Sequence, residues 1–206
     1  MKLVTNQLRK YFIMGSQNCL RDPREILTEA IHAGITSFQF REKGEGALEG
    51  EQKLALGRDL RDICFQNHVL FIVNDDIQLA HDLDADGIHV GQDDPSVTEI
   101  RMLFPHKIIG LSVSTNEELR ESPLSFVDYV GAGPIFPTST KTDAKQAVGL
   151  KWIQTVKARY PHTPLVAIGG ITTHNAASVI NAGADGVSVI SAITKSQNIT
   201  DTVTKL

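Results

Sequence analysis

Positions 39–43 read Gln-Phe-Arg-Glu-Lys, an amide and two cations in close succession. In extended chain, side chains alternate, so Gln39, Arg41 and Lys43 fall on one side and Phe40 on the other. Three such groups pointing together into a protein are costly to bury without an anionic ligand; pairing of Arg41 with a nearby carboxylate is the structural alternative. Two acidic pairs follow: Asp75-Asp76 after Asn74, and Asp93-Asp94 after Gln92. Carboxylates facing each other across a small gap suit Mg2+, which takes one or two of them together with substrate phosphate oxygens. Asp also caps helix N-termini, and one member of each pair is expected to do that instead. Further on, residues 133–141 form a hydroxyl-rich run ending in a cation, Lys141, in the manner of a functional lid. Last come Gly169-Gly170 and the run 188–191, Ser-Val-Ile-Ser. Glycines admit close backbone approach, and N–H groups near a helix start can hold a phosphate. A Gly-Gly pair needed only for turn geometry is the competing reading.

Other candidates carry less. Of the seven His, His89 alone sits centrally in a strand-like run, where it reads as a core or barrel-layer residue. His32, His68, His81, His106, His162 and His174 lack metal-ligand spacing. Trp152 and Phe126 read as packing residues, and no Ser–His–Asp arrangement is supported by spacing.

These groups need elements to position them. β-rich runs recur at 11–15, 37–41, 70–74, 87–91, 108–113, 129–135, 165–169 and 187–191. Between them, helical spacing appears at 23–33 (Ile26, Leu27, Ala30 and Ile31, stopping at Gly34), at 48–64 and at 175–182, the last with Thr172 or Thr173 as N-cap. Strand–helix alternation implies parallel strands joined by right-handed crossovers. The expected fold is a compact α/β single (β/α)8 TIM barrel, one domain spanning 1–206, with chemistry at the C-terminal strand ends. An open doubly wound sheet is the alternative, but Ser16-Gln17-Asn18-Cys19 after the first strand is no dinucleotide fingerprint. Only 192–206 remains after the eighth strand, so the final helix is expected to be short, frayed, replaced by the N-terminal segment, or lost.

The chain has 206 residues, 41% of them hydrophobic, which suffices for one sizeable core. A net charge of -4 gives no electrostatic case for nucleic acid, so anionic ligands would be drawn by a few placed cations. Cys19 and Cys64 form neither a CxxC pair nor a metal set and read as reduced thiols. The first residues lack a signal-peptide pattern, and no apolar run approaches the ~20 residues of a membrane span. The expectation is a cytoplasmic protein without nucleic-acid or membrane partners; homo-oligomerisation is left open.

Taken together, QFREK at 39–43, VNDD at 73–76, GIHVGQ at 87–92 with Asp94, GAGPIFPTSTK at 131–141, VAIGGI at 166–171 and GADGVSVIS at 183–191 resemble thiamine phosphate synthase. The likeness runs in order from about Tyr11 to Ile193. The phosphate-site segment is shared by many barrels; QFREK, VNDD and GPIFPTxTK together are specific. The resemblance implies a transferase of thiamine biosynthesis. It would join 4-amino-5-hydroxymethyl-2-methylpyrimidine diphosphate to a thiazole phosphate, or its carboxylated form, giving thiamine monophosphate and pyrophosphate with Mg2+ as cofactor. It also implies that Gln39, Arg41, Lys43, Asn74, Ser112 and Lys141 bind the pyrimidine diphosphate, with Arg41, Lys43 and Lys141 catalytic. Asp75 and Asp94 would hold Mg2+, and Thr138, Thr140, Gly170, Ile190 and Ser191 the thiazole phosphate. Ser114, where some relatives carry His, and the short C-terminus depart from the pattern. A thiazole tautomerase-like isomerase and a non-catalytic pathway sensor are the rival functions; the first would not need Arg41, Lys43, Asp75 and Asp94, and the second would bind thiazole phosphate without releasing pyrophosphate.

Overall fold

The computed structural model describes residues 3–140 and 145–206. Eight strands, β1 (Lys10–Met14), β2 (Ser37–Phe40), β3 (Leu70–Asn74), β4 (Gly87–Val90), β5 (Ile108–Val113), β6 (Tyr129–Ala132), β7 (Leu165–Ile168) and β8 (Gly186–Val189), close in sequence order into a barrel. Neighbours are parallel throughout, and β8 closes on β1 through Tyr11↔Ser188. The helices between them are α1 (Pro23–His32), α2 (Gly50–Gln66), α3 (Ile77–Asp82), α4 (Val97–Leu103), α5 (Asn116–Glu121), α6 (Leu150–Arg159) and α7 (Ala176–Asn181), followed by α8 (Ser191–Thr194) and α9 (Ile199–Thr204). The open-sheet alternative is thereby excluded. Among the described residues no helix is long and apolar enough to cross a membrane.

Strand alternation sorts the core in two. Tyr11, Ile13, Leu70, Ile72, Ile108, Tyr129 and Val166 cluster inside the barrel, while Phe12, Phe38, Phe40, Phe71, Val73 and Ile88 pack outward against the helices. Leu8, fully buried on a 3-10 turn (Thr5–Leu8), belongs to the inner cluster and plugs the barrel floor. It presses so closely on β8 that a Cβ at Gly186 would lie within 1.8 Å of the Leu8 carbonyl oxygen.

The N-terminal rim is built by one repeated device. The residue before each even strand both donates its N–H to the preceding odd strand and accepts from it with its side chain. Thr36 pairs in this way with Lys10, Asp86 with Phe71, Asp128 with Ile109 and Asp185 with Leu165, at 2.8–3.0 Å for the side-chain bonds and 2.8–2.9 Å for the backbone ones. Two of the carboxylates also carry cations: Arg101 on Asp128 at 2.6 Å and Lys157 on Asp185 at 3.0 Å. First-strand N–H groups that would otherwise be orphaned are thus satisfied.

The last helix is short, as expected, but docked. Val203 is fully buried, and the Lys10 ammonium donates to its carbonyl oxygen at 2.5 Å. Several strands end earlier than their apolar runs suggest. β6 stops at Ala132, and the chain then turns at Gly133–Pro134, a cis peptide, although Ile135 is buried. α7 begins at Ala176 with Asn175 as N-cap; Thr172 instead accepts the Asn175 and Ala176 N–H groups on its carbonyl, so neither Thr172 nor Thr173 caps the helix. Trp152 is buried and donates its indole N–H to the Val113 carbonyl at 3.1 Å. Phe126, expected to pack, is 39% exposed at the end of a 3-10 turn, with its carbonyl rather than its ring engaged, by Arg101.

Candidate active site

The C-terminal strand ends open onto a cavity of about 330 Å³. Lys43, Asp94, Ser112, Thr138, Thr140, Gly170, Ile190 and Ser191 line it, so most of the residues singled out from the sequence face one cavity. Gln39, Arg41, Asn74 and Asp75 are not among its lining residues. Lys141 lies outside the described residues.

Lys43 connects the two groups. Its ammonium reaches the Asp75 carboxylate at 2.5 Å. That bond, and then the charge of Asp94, hold Lys43 protonated to higher pH than usual, against partial desolvation and the like charge of Arg41. Lys43 thus ties Asp75 to the cavity that it lines together with Asp94, and Arg41 lies two residues before it in the same loop. Asp75 itself adopts a left-handed backbone (φ 50°), uncommon for a non-glycine residue and typical of strained functional positions. The acidic pairs divide unequally. Asp76 caps α3 through the Leu79 N–H and pairs with Lys53 at 2.7 Å. After β4, however, Ser96 caps α4, and Asp94 instead accepts the Gly91 N–H at 2.7 Å. The expectation that one member of each pair caps a helix thus fails for the second pair. Among the described residues no group of three or more His, Cys, Asp or Glu is clustered as a metal cage.

The extended geometry inferred for 39–43 ends at Phe40, and loop contacts place residues 41–43. Glu42, buried, accepts the Ser16 N–H at 2.8 Å, the Ser16 hydroxyl and the Leu48 N–H. Gln17 donates its amide to both the Arg41 and Lys43 carbonyls at 3.0 Å. A Cβ at Gly15 would sit 2.2 Å from the Arg41 carbonyl oxygen, so glycine is required for that approach. Sequence reasoning missed Glu42 and Gln17. A carboxylate between two cations reads as their partner, and nothing in the spacing links residues 15–17 to 41–43.

On the opposite side, Gly169 (φ 98°) and Gly170 (φ 62°) take left-handed conformations, and residues 134–137 press on them: a Cβ at Gly170 would lie 2.6 Å from the Pro137 carbonyl oxygen. Turn geometry alone therefore explains why both are glycine, although both also line the cavity. The Thr140 and Ser191 hydroxyls stand 3.2 Å apart, joining the loop after β6 to the end of β8. A further part of the wall, Ser114, Glu118 and Lys145, was not anticipated. Lys145 pairs with Glu118 at 2.6 Å, Glu118 accepts the Ser114 N–H, and Ser114 donates its hydroxyl to the Gly133 carbonyl.

Below the cavity, Gln39 is buried and donates its amide to the Tyr11 hydroxyl at 2.9 Å; its carbonyl oxygen has no partner among the described residues. Both cysteines are free thiols, and burial pushes that of Cys19 up to about 12.

The family model for thiamine monophosphate synthase matches residues 10–193. A thiamine-phosphate synthase of Oceanobacillus iheyensis is 62% identical over 206 residues, 100% of each chain. One of Bacillus cereus is 52% identical over 199 residues, 97% of this chain and 91% of the relative. The solved structure of a thiamine phosphate pyrophosphorylase from Pyrococcus furiosus superposes with a TM-score of 0.86 at 33% identity, covering 98% of this chain and 95% of that one.

Proposed function

The chain belongs to the thiamine monophosphate synthase family and is a transferase that forms thiamine phosphate; from that premise we propose that, as one cytoplasmic barrel domain, it joins 4-amino-5-hydroxymethyl-2-methylpyrimidine diphosphate to a thiazole phosphate and releases pyrophosphate. The observation that supports the residue assignment is the Lys43–Asp75 ion pair at 2.5 Å, beside a cavity that Lys43 and Asp94 both line. A thiazole isomerase would not need that set, and a sensor would release no pyrophosphate.

In this reading the bond that breaks joins the pyrimidine methylene carbon to a diphosphate oxygen. Arg41, Lys43 and Lys141 stabilise the charge that grows on the leaving group. Lys43 exchanges Asp75 for a phosphate oxygen when the diphosphate arrives. Two carboxylates without a third protein ligand fit a small hard cation that keeps waters and substrate oxygens, so Asp75 and Asp94 would hold Mg2+. That ion would neutralise further charge on the diphosphate when bound. Gln39, Asn74 and Ser112 orient the pyrimidine. Thr138, Thr140 and Ser191, with backbone amides of Gly170 and Ile190, hold the thiazole phosphate. Departure of the diphosphate leaves a pyrimidine-methyl cation delocalised by the ring amino group, and the thiazole nitrogen attacks it. No general base is needed. Alignment and exclusion of water govern the outcome, because water would capture the same cation.

A coupled pyrophosphate-release assay tests the reading. Release that requires both substrates is expected. Thiazole isomerisation without pyrophosphate, or thiazole binding without turnover, would replace it with one of the rival functions.

A further inference from the structure

A chain of hydrogen bonds crosses the barrel interior beneath the cavity. From the Gln39 amide on β2 it passes to the Tyr11 hydroxyl on β1 (2.9 Å), then to the Tyr129 hydroxyl on β6 (2.8 Å). It continues to Nδ1 of His89 on β4 (2.9 Å) and from Nε2 of His89 to the Ser112 hydroxyl on β5 (2.9 Å). Ser112 lines the cavity; Tyr11, Gln39, His89 and Tyr129 are buried.

Room for this chain is built into the neighbouring strands. A Cβ at Gly110 would lie 2.2 Å from the Tyr129 ring and 2.4 Å from Nδ1 of His89, and one at Gly131 would lie 3.0 Å from the His89 ring. The position facing Tyr129 and the one facing Ser112 in register are thus both glycine. The rings of His89 and Tyr129 stand 5.4 Å apart, and those of Tyr11 and Tyr129 meet edge to face at 6.0 Å.

Proton counting gives the chain a direction. The Gln39 nitrogen can only donate, so the Tyr11 oxygen accepts and its single proton passes to Tyr129. The Tyr129 proton then goes to Nδ1 of His89. A neutral imidazole with Nδ1 accepting carries its proton on Nε2, which donates to the Ser112 oxygen. Ser112 keeps its own proton free for the cavity. Burial raises the pKa of both phenols, so both remain donors at neutral pH.

We propose that His89 is a positioning residue for the transfer reaction: fixed by Tyr129 and Tyr11, it holds the Ser112 hydroxyl as a hydrogen-bond donor to an acceptor atom of the bound pyrimidine substrate. The inference rests on the assignment of Ser112 to the pyrimidine site. The bland alternative is that these buried polar groups merely satisfy one another.

A double-mutant cycle separates the two. Tyr129→Phe keeps the ring and removes the proton that sets His89. It is expected to lower kcat/KM roughly tenfold, the loss of one aligned hydrogen bond, and to have almost no effect in a Ser112→Ala background. An equal loss in both backgrounds, or no loss in the first, overturns the proposal, since a purely structural role does not depend on Ser112. Tyr11→Phe, one link further away, is read in the same cycle and should show the same coupling with a smaller factor; it carries the test if Tyr129→Phe does not fold. Wild-type activity in Ser112→Ala alone would instead remove Ser112 from the site, and the inference with it.

Discussion

The two rims of the barrel treat polar groups in opposite ways. At the N-terminal rim, Thr36, Asp86, Asp128 and Asp185 repeat one arrangement, each bonded in both directions to the strand before it. At the C-terminal rim the strand ends differ from one another. They carry Asp75 in a left-handed conformation, a half-exposed Lys43, the Gly169-Gly170 turn and a Gln39 carbonyl without a described partner. The repeated rim closes the sheet; the varied rim borders the cavity. A fold can thus keep stability and chemistry on separate surfaces, and the same residue type, Asp, serves one purpose below and another above.

That separation can be broken experimentally, from the largest effect downward. Stripping divalent cations with EDTA should abolish product formation and leave the circular dichroism spectrum unchanged; surviving activity would remove Asp75 and Asp94 from a metal role. Lys43→Ala and Lys141→Ala should each lower turnover by ~10²–10³, with little change in the urea unfolding midpoint. A near-wild-type rate in either variant takes that lysine out of the chemistry. Asp128→Ala should do the reverse. It orphans the Ile109 N–H and leaves Arg101 without its carboxylate, at a cost of about 2 kcal/mol in stability, while kcat of the folded enzyme stays unchanged. A fall in kcat there would show the rims to be coupled. Thr36→Val tests the uncharged copy of the device and should cost about 1 kcal/mol, again without change in kcat; a loss as large as that of Asp128→Ala would mean that the cation contributes nothing.

How far the sequence discloses this molecule follows the same division. The barrel was legible because β-rich runs recur eight times with helical stretches between most of them, and each run corresponds to a strand within a few residues. Their C-terminal ends were overdrawn, as at 133–135, because buried apolar residues continue after the backbone has turned. The cations and carboxylates of the upper rim were legible as motifs, and the structure brings Lys43, Asp94, Ser112, Thr138, Thr140, Gly170, Ile190 and Ser191 onto one cavity. What stayed hidden depends on contacts between distant loops. Ser16 and Gln17, just after β1, fix 41–43 through the Glu42 carboxylate and the Arg41 and Lys43 carbonyls, and Ser114, Glu118 and Lys145 complete the wall. His89 was read as a barrel-layer residue, and it is one; that its two nitrogens link Tyr129 to Ser112 could not be seen until strands β4, β5 and β6 lay side by side. The lower-rim acids escaped notice because a single Asp before a strand is an ordinary turn residue, and only their recurrence in space gives them meaning.

Gly186 has a consequence for hydration. The Leu8 plug rests on it so closely that even a methyl group there would have to push the plug away from the floor. Water admitted from below would offer Tyr11, Tyr129 and Gln39 new partners, and their hydrogen-bond pattern would no longer be dictated by one another. The closure of the floor beneath these hydroxyls, and with it their bonding to one another, is therefore kept in part by the absence of a side chain at the first residue of the last strand.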